Sequence, residues 1–567
     1  MEKKFTNKEV SQLLSNISAA YQVLGMNPFQ IRAYDLAADS VANASSEVKD
    51  LWEDGKLGEI AGIGRAIESY LDELFKTGKV KHFEEISQKV PEEMFALLKV
   101  PGVGPKTAFK LAGEGVTDIS DLENKIKSGY LLKKDFGQKT LANILRGVEE
   151  YKRKSDRILL PVAGEIAKQI IEYLKKHKDV LEADPLGSLR RKVATVGDID
   201  ISATSEKPKS VVGHFIKFPS LNHVIEVGNS TATISLSNGI RVDLMVQPPQ
   251  HYGSLLQHFT GSKSHNIHIR SLAREKGYSI SEYGVKSLKS NKLISCKNEN
   301  EVYSLLGMQT PPPELREDTG EIESALKDKL PNLTQLSDIK GDLHTHSLWS
   351  DGHNTIAEMA NAAAELGREY IALTDHSYPN LRFDERIKQI EQYNYSVRNI
   401  RVIYGLEVNI NADETMQVDD SILEKHEIIF ASIHTSFRQN REEITKRIIT
   451  AIRNPHVDVI SHPTGRLLLE REEIDADWEE IFKEAAKHNK ILEINSFPTR
   501  LDLPDILVRE AKRFRVKFVI DTDSHDVEHL KLMEYGVDVA RRGWLEGKEV
   551  INTLPWSKFK KVFNLKN

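Results

Sequence analysis

The spacing of apolar side chains predicts helices over Lys8 to Leu24, Pro28 to Ala44 and Arg65 to Thr77, then a second helical block over residues 86–150. Tyr151 to Lys178 reads as one long helix. The period then shortens to two. In Gly187 to Asp200 and just beyond, Ile199 and Ile201 alternate with Asp198 and Asp200. Successive strand side chains point to opposite faces, so the two aspartates share one face while the isoleucines enter the core. In Gly239 to Val246, Ile240, Val242, Leu244 and Val246 alternate in the same way with Arg241 and Asp243. Residues 256–310 mix helix with short strand, Thr310 to Arg316 is a stiff extended stretch, and residues 317–335 read as a linker. From Gly341 strands alternate with helices through seven apolar runs: GDLHTH, IALTDH, VIYGLEV, IIFASIH, VDVISHP, ILEINS and FVIDTDSH.

Two carboxylates on one strand face repel each other, and a divalent cation with hard oxygen ligands relieves that repulsion while its open positions hold phosphates. If the second strand lies beside the first, Asp243 completes a cluster able to hold two metals about 3.5–4 Å apart. A bare Asp-x-Asp is also what a solvated strand face carries. The company tips the balance: Gly187 and Ser188 can bring backbone amides to phosphate oxygens, and Arg190 and Arg191 can neutralise them.

Through the Gly-Ser, Arg-Arg and Gly-Asp-Ile-Asp run, then Arg241-Val242-Asp243, then Tyr252 to Tyr283, the chain resembles the nucleotidyltransferase palm of family X DNA polymerases, the DNA polymerase beta group. The resemblance implies Mg²⁺ or Mn²⁺ at Asp198, Asp200 and Asp243, with Asp243 accepting the primer 3′-hydroxyl proton. It implies triphosphate contacts at Gly187, Ser188, Arg191 and Gly197, sugar and base packing at Phe259 and Gly261, a minor-groove contact at Asn266 and a template contact at Arg270. Family members often carry Tyr-Phe where this chain has His258-Phe259, which places ribose discrimination on an altered residue.

The loop Ile60-Ala61-Gly62-Ile63-Gly64 and the stretch Leu98 to Leu111, with Gly102 and Gly104, resemble two helix-hairpin-helix motifs. In such motifs Gly-x-Gly lets the backbone turn tightly and aims free helix amides at a DNA phosphate. Binding of that kind carries no sequence information. Asn27-Pro28-Phe29, Arg32-Ala33-Tyr34 and Thr77-Gly78-Lys79-Val80 extend the resemblance to the small N-terminal domain of the beta-type enzymes. Members with deoxyribose-phosphate lyase activity use a lysine as Schiff-base nucleophile where this chain has Tyr70, and a supporting lysine is replaced by Gln30. Tyrosine forms no imine, so the lyase is expected to be absent or feeble. Arg32, Tyr34 and Arg65 are candidates for holding a downstream 5′-phosphate, with ordinary surface charge as the alternative.

The C-terminal runs carry His344, His346, Asp351, Asp375, His376, Glu407, His434, His462, Asp523 and His525. A parallel barrel collects its functional groups at the C-terminal ends of its strands, and most of these residues fall there. The set HxH, D, TDH, E, H, H, DxH resembles the PHP (polymerase and histidinol phosphatase) family. That resemblance implies up to three Mn²⁺ or Zn²⁺ ions on His344, His346, Asp351, His376, Glu407, His434, His462, Asp523 and His525, activating water to cut phosphoesters. Arg438 and Arg466 follow two ligands and suit either a phosphate or plain surface charge.

Composition narrows the setting. With 567 residues, 40% hydrophobic and 29% charged, the chain is multidomain and globular in character, and no apolar run approaches the ~20 residues of a membrane helix. One cysteine, Cys296, excludes an intramolecular disulfide and a Cys-rich zinc module, and a cytoplasmic location is expected. A net charge of −6 requires any nucleic-acid contact to be local. The expected fold class is multidomain α/β: a helix-hairpin-helix region at 1–85, a fingers-like helical domain at 86–150, a nucleotidyltransferase palm with mixed sheet at 151–255, and a closing subdomain at 256–316. The linker at 317–335 then leads to a distorted (β/α)7 PHP barrel at 336–567. The resemblance implies a monomer acting on gapped or primer-template DNA with dNTPs, filling short gaps in repair, and a barrel with 3′–5′ exonuclease action and AP endonuclease or 3′-phosphatase as companions. The rival reading is a DNA-end-binding scaffold with a histidinol-phosphatase-like barrel.

Overall fold

A computed structural model of the chain describes residues 5, 7–43, 48–53, 57–60, 62–134, 136–155, 157–378 and 381–565. It forms two compact units, Met1–Asp156 with the loop Ile433–Phe437, and Arg157–Ser432 with Arg438–Asn567.

The first unit is helical. Asn7–Val23, Pro28–Asn43 and Arg65–Thr77 match the expected helices, with Ala44 outside the described residues. Leu14, Ile17, Leu71 and Leu74 are buried at helical spacing on their inner faces, and Met94, Leu97, Ala108 and Leu111 continue the same core.

The expected single helix over Tyr151 to Lys178 is two, the first in the helical unit and the second in the other. Gln138–Ser155 ends before the strand Ile158–Leu159, which pairs antiparallel with Thr195–Val196, and a new helix runs Leu160–Lys175 with proline in its first turn. Pro161 explains the break: without an amide hydrogen it is tolerated in the first turn of a helix and not in its interior. The five-stranded palm sheet runs Glu182–Pro185, Ile199–Thr204, Arg241–Gln247, Thr231–Leu236 and Leu221–Val227 in spatial order, mixed because the second and third are parallel. Helices Tyr252–Thr260, Lys263–Glu275 and Glu299–Leu305 follow with a three-stranded sheet. Residues 317–335, read from composition as linker, contain the helix Glu321–Leu326, whose Ile322 and Ala325 are buried in the core of that region. Glu321 is wholly buried too, because His265 offers it a ring nitrogen at 2.6 Å and the amides of Asp318 and Thr319 donate to it.

Seven parallel strands, Gly341–Thr345, Tyr370–Leu373, Arg401–Asn409, Ile428–Ser432, Val459–Ile460, Ile491–Asn495 and Lys517–Asp521, lie in sequence order. A parallel bridge between Thr345 and Ser524 brings the last strand back to the first, giving a nearly closed (β/α)7 barrel filled by Leu343, Ala372, Phe430, Val459 and Val519. Among the described residues no helix is long and apolar enough to cross a membrane.

Candidate metal centres

In the palm, Asp200 stands directly beside Asp243 in the parallel register of Ile199–Thr204 and Arg241–Gln247, so the alternation read from the sequence does put both acids on one face. Asp198 is exposed just before the first of these strands. Burial, reinforced by the charges of Asp243 and Asp198, pushes the Asp200 carboxyl up to about 7. Asp243 accepts hydrogen bonds from Thr233 and from Arg241, whose Nε lies 2.9 Å away. Gly187 presses against this cluster. Its φ is +56°, and a Cβ there would lie 2.7 Å from Asp200 Oδ2, so only glycine lets the phosphate-side turn approach the acids.

The other residues expected around a nucleotide are placed as follows. Ser188 follows Gly187 in the short helix Gly187–Arg190, and Gly197 precedes Asp198. Arg190 is committed to Glu299, with its NH2 at 2.6 Å, and Glu299 also binds the wholly buried Arg316. Arg191 donates to Glu317 at 2.9 Å and to the Thr260 carbonyl at 2.6 Å. His258 meets Phe259 edge-on at 4.9 Å, and burial lowers its pKa. Gly261 has φ +67° beside the Arg191 guanidinium. Asn266 donates to the His258 carbonyl at 2.6 Å and accepts from Gln257 at 2.9 Å, while the exposed Arg270 donates to the Asn266 carbonyl at 3.1 Å.

In the helical unit the two glycine loops share one geometry. Gly62 and Gly102 have φ of +84° and +82°, and Gly64 and Gly104, at φ −82° and −83°, cap the helices Arg65–Thr77 and Pro105–Gly113. Ala61 lies outside the described residues. Tyr70 stacks on His82 at 4.9 Å, so that position presents a ring and no amine.

The barrel gathers its candidates at one end. His344 lies inside the first strand and Glu407 inside the third; His346, Asp351, His376, His434, His462, Asp523 and His525 follow strand ends. Three groups each bring ligand atoms within 4.8 Å of one another: His346, Asp351, His376 and His525; His344, His346 and Asp523; and His376, Glu407 and His434. His462 joins them through Glu407 at 3.0 Å. His462 and Asp523 adopt φ of +27° and +53°, backbone strain of the kind that collects at functional sites. Burial opposes charge throughout, and opposite neighbours outweigh it at some groups: Glu493, Asp523 and Glu407 raise the pKa of His344, and His376 and His525 hold Asp351 well below the carboxylate range, whereas burial lowers His346 to about 4. The buried His346 has no hydrogen bond at either ring nitrogen, nor has Nε2 of His344 or of His525. Each of these rings nonetheless faces a carboxylate, His346 Nε2 at 3.2 Å from Asp523, His344 Nε2 at 3.3 Å from Glu407 and His525 Nε2 at 3.4 Å from Asp351, and imidazoles converging with carboxylates are a donor set that suits a transition metal.

Several neighbours escape a reading from the sequence. Glu493 receives His344 Nδ1 at 2.6 Å and the His462 amide at 2.5 Å, fixing the ring orientation of one candidate ligand and the backbone of another. Its only signal is an acid inside the apolar run ILEIN. Asp375 is no part of the ligand groups: it is bound by the fully buried Arg386 at 2.8 Å and by the hydroxyls of Ser347 and Ser350. Arg466 is half-buried, and its guanidinium donates to the carbonyls of Arg500 and Leu501. Arg500, unremarked in the sequence, comes within 3.5 Å of Asp523.

Three family models match: a helix-hairpin-helix domain over residues 5–80, the DNA polymerase beta thumb over 255–317 and the PHP domain over 342–497. A DNA polymerase/3′-5′ exonuclease PolX of Bacillus subtilis (strain 168) is 36% identical over 557 residues, spanning 96% of this chain and 97% of that protein. The chain belongs to the family X DNA polymerases that carry a PHP domain. Probable phosphatases of Thermoanaerobacter sp. (strain X514) and Syntrophotalea carbinolica are 29% and 27% identical, each over 37% of this chain.

Proposed function

We propose that this family X chain is a DNA-directed DNA polymerase that fills short gaps in repair, and that its barrel trims 3′ ends as a 3′–5′ exonuclease. The observation that carries the reading is the presence of two complete acidic or imidazole-rich centres in one chain that aligns over 96% of its length with a polymerase/exonuclease.

In the palm, Gly187 and Ser188 offer amides to the triphosphate, Arg191 supplies a guanidinium, and Gly197 keeps the approach to Asp198 open. Asp198, Asp200 and Asp243 would hold Mg²⁺ or Mn²⁺, which supplies Lewis-acid stabilisation of charge on the phosphates. Asp243, oriented by Thr233 and Arg241, takes the proton of the primer 3′-hydroxyl. His258, Phe259 and Gly261 line the sugar and base, Asn266 faces the minor-groove edge and Arg270 the template. Gly62, Gly64, Gly102 and Gly104 let helix amides grip DNA phosphates without regard to sequence.

In the barrel, His344, His346, Asp351, His376, Glu407, His434, His462, Asp523 and His525 would hold up to three Mn²⁺ or Zn²⁺ ions, which lower the pKa of water to make a nucleophile. The three overlapping groups support that number, with His346 and His376 each belonging to two of them. Glu493 keeps the His344 ring turned inward. The probable-phosphatase relatives favour a second reading of the barrel, hydrolysis of phosphomonoesters. A full-length preparation with Mn²⁺ decides between them. Mononucleotide release from a 3′-recessed duplex, with little phosphate release from histidinol phosphate, supports the nuclease; the reverse pattern refutes it.

A further inference from the structure

The helix Met533–Arg542, which follows the seventh barrel strand, ends on two arginines that reach the palm and the region after it. Arg541 binds Glu314 at 2.8 Å and the Thr334 carbonyl at 3.2 Å. Arg542 is held by Asp505 at 2.8 Å, and from there its NH1 donates twice, to the main-chain carbonyl of Arg191 at 2.8 Å and to Glu317 Oε1 at 3.0 Å. The same Glu317 oxygen accepts from Arg191 Nε at 2.9 Å. One turn earlier on the helix, Asp538 sits 3.3 Å from Lys192.

Arg191 is thus held twice by one residue, directly at its backbone and through Glu317 at its side chain. Both guanidiniums are largely shielded, the Arg542 side chain 9% exposed and that of Arg191 14%, with Glu317 between them 28% exposed. A guanidinium is planar, so binding one edge aims the rest. With Nε on Glu317 and NH1 on the Thr260 carbonyl, the third nitrogen of Arg191 has no protein partner among the described residues. Arg542 also shares the Glu317 carboxylate, which would otherwise neutralise Arg191 alone.

We propose that Arg542 is a positioning residue of the nucleotide site: by holding the Arg191 carbonyl and sharing Glu317, it fixes the guanidinium that grips the triphosphate. The helix behind the barrel then sets the nucleotide affinity of the palm. The inference rests on the assignment of Arg191 to the triphosphate.

The test measures KM and kcat for the incoming nucleotide in one-nucleotide gap filling, with full-length wild type, Arg542→Ala, Arg542→Lys and Arg191→Ala. Loss of a charge-assisted contact predicts that Arg542→Ala raises KM about tenfold with kcat within about threefold. Arg542→Lys, which keeps the charge without the fork, falls between. Shortening of a single-stranded 3′ end without nucleotides stays within about twofold in Arg542→Ala, because Arg542 touches none of the barrel's ligand groups. An unchanged KM in Arg542→Ala while Arg191→Ala raises it overturns the proposal. So does a parallel fall of both activities with a lowered Tm, the mark of a purely structural role. If Arg191→Ala also leaves KM unchanged, the nucleotide assignment of Arg191 has failed instead.

Discussion

The palm and the barrel both gather acids, and they balance them in opposite ways. In the palm three carboxylates converge, and burial together with Asp243 and Asp198 pushes the Asp200 carboxyl up to about 7 although Arg241 and Arg191 oppose the shift. In the barrel carboxylates alternate with imidazoles, so Asp351 and Asp523 stay ionised although wholly buried, and His344 and His376 are drawn toward the charged form. The barrel sets its imidazoles against carboxylates, with His346 Nε2 3.2 Å from Asp523 and His376 Nδ1 2.9 Å from Glu407. Like charges brought together raise one another's pKa, whereas alternating charges hold one another in the charged form.

The sharpest way to break this contrast is to remove each side separately, on a 5′-labelled primer in a one-nucleotide gap with Mn²⁺. Asp198→Ala with Asp200→Ala is expected to lower extension by at least ~10³-fold and leave shortening intact. His344→Ala with His346→Ala should lower shortening by ~10²–10³-fold and leave extension within about twofold. A histidine variant that degrades DNA as fast as wild type would place the nuclease outside the barrel.

A smaller effect probes how the barrel keeps its balance. Glu493→Gln should raise the Mn²⁺ needed for half-maximal shortening by about 10–100-fold, with extension unchanged, since a second-layer partner of a ligating histidine acts through the metal. The smallest effect concerns the charges that bind the palm to the helix Glu299–Leu305. Glu299, although buried, is held down to about 2 from its usual 4.5 by Arg316 and Arg190. A depressed carboxyl contributes stability above its unfolded value and loses it as pH falls toward the folded one. About 2 kcal/mol of that contribution should be gone at pH 3. Urea melts at pH 7 and pH 3 check this: wild type should lose that amount relative to Glu299→Gln, and equal losses would contradict the assignment.

The parts legible in the sequence are those governed by short-range rules. Strand alternation groups Asp198 with Asp200 from local spacing, Asp243 joins them once its strand is paired beside theirs, and the strand-end rule of parallel barrels collects the histidines. The helix-hairpin loops are legible because a positive φ leaves glycine as its mark. What stays hidden depends on partners distant in sequence. Glu321 lies buried in a stretch that composition reads as a linker because His265, 56 positions earlier, neutralises it. Arg466 and Arg386 look like surface cations until carbonyls and Asp375 are seen around them. Arg542 reaches back 351 positions to the Arg191 carbonyl, and no local pattern announces such a bond. Pro161 is in plain view, and its preference for a helix start explains the break that periodicity alone passes over.

The pairing of Asp200 with Asp243 depends on the hairpin that joins Thr231–Leu236 to Arg241–Gln247. Its turn carries Gly239 at φ +83°, and its register sets Thr233 opposite Asp243 and Ser235 opposite Arg241. Because a strand alternates faces at every step, that turn works as a counter with two settings. One residue more or fewer, if carried into the strand, turns Asp243 inward and brings Val242 or Leu244 to the solvent side. A two-residue change preserves the parity and only slides the acid along the face. The polymerase centre therefore tolerates even errors in this hairpin far better than odd ones.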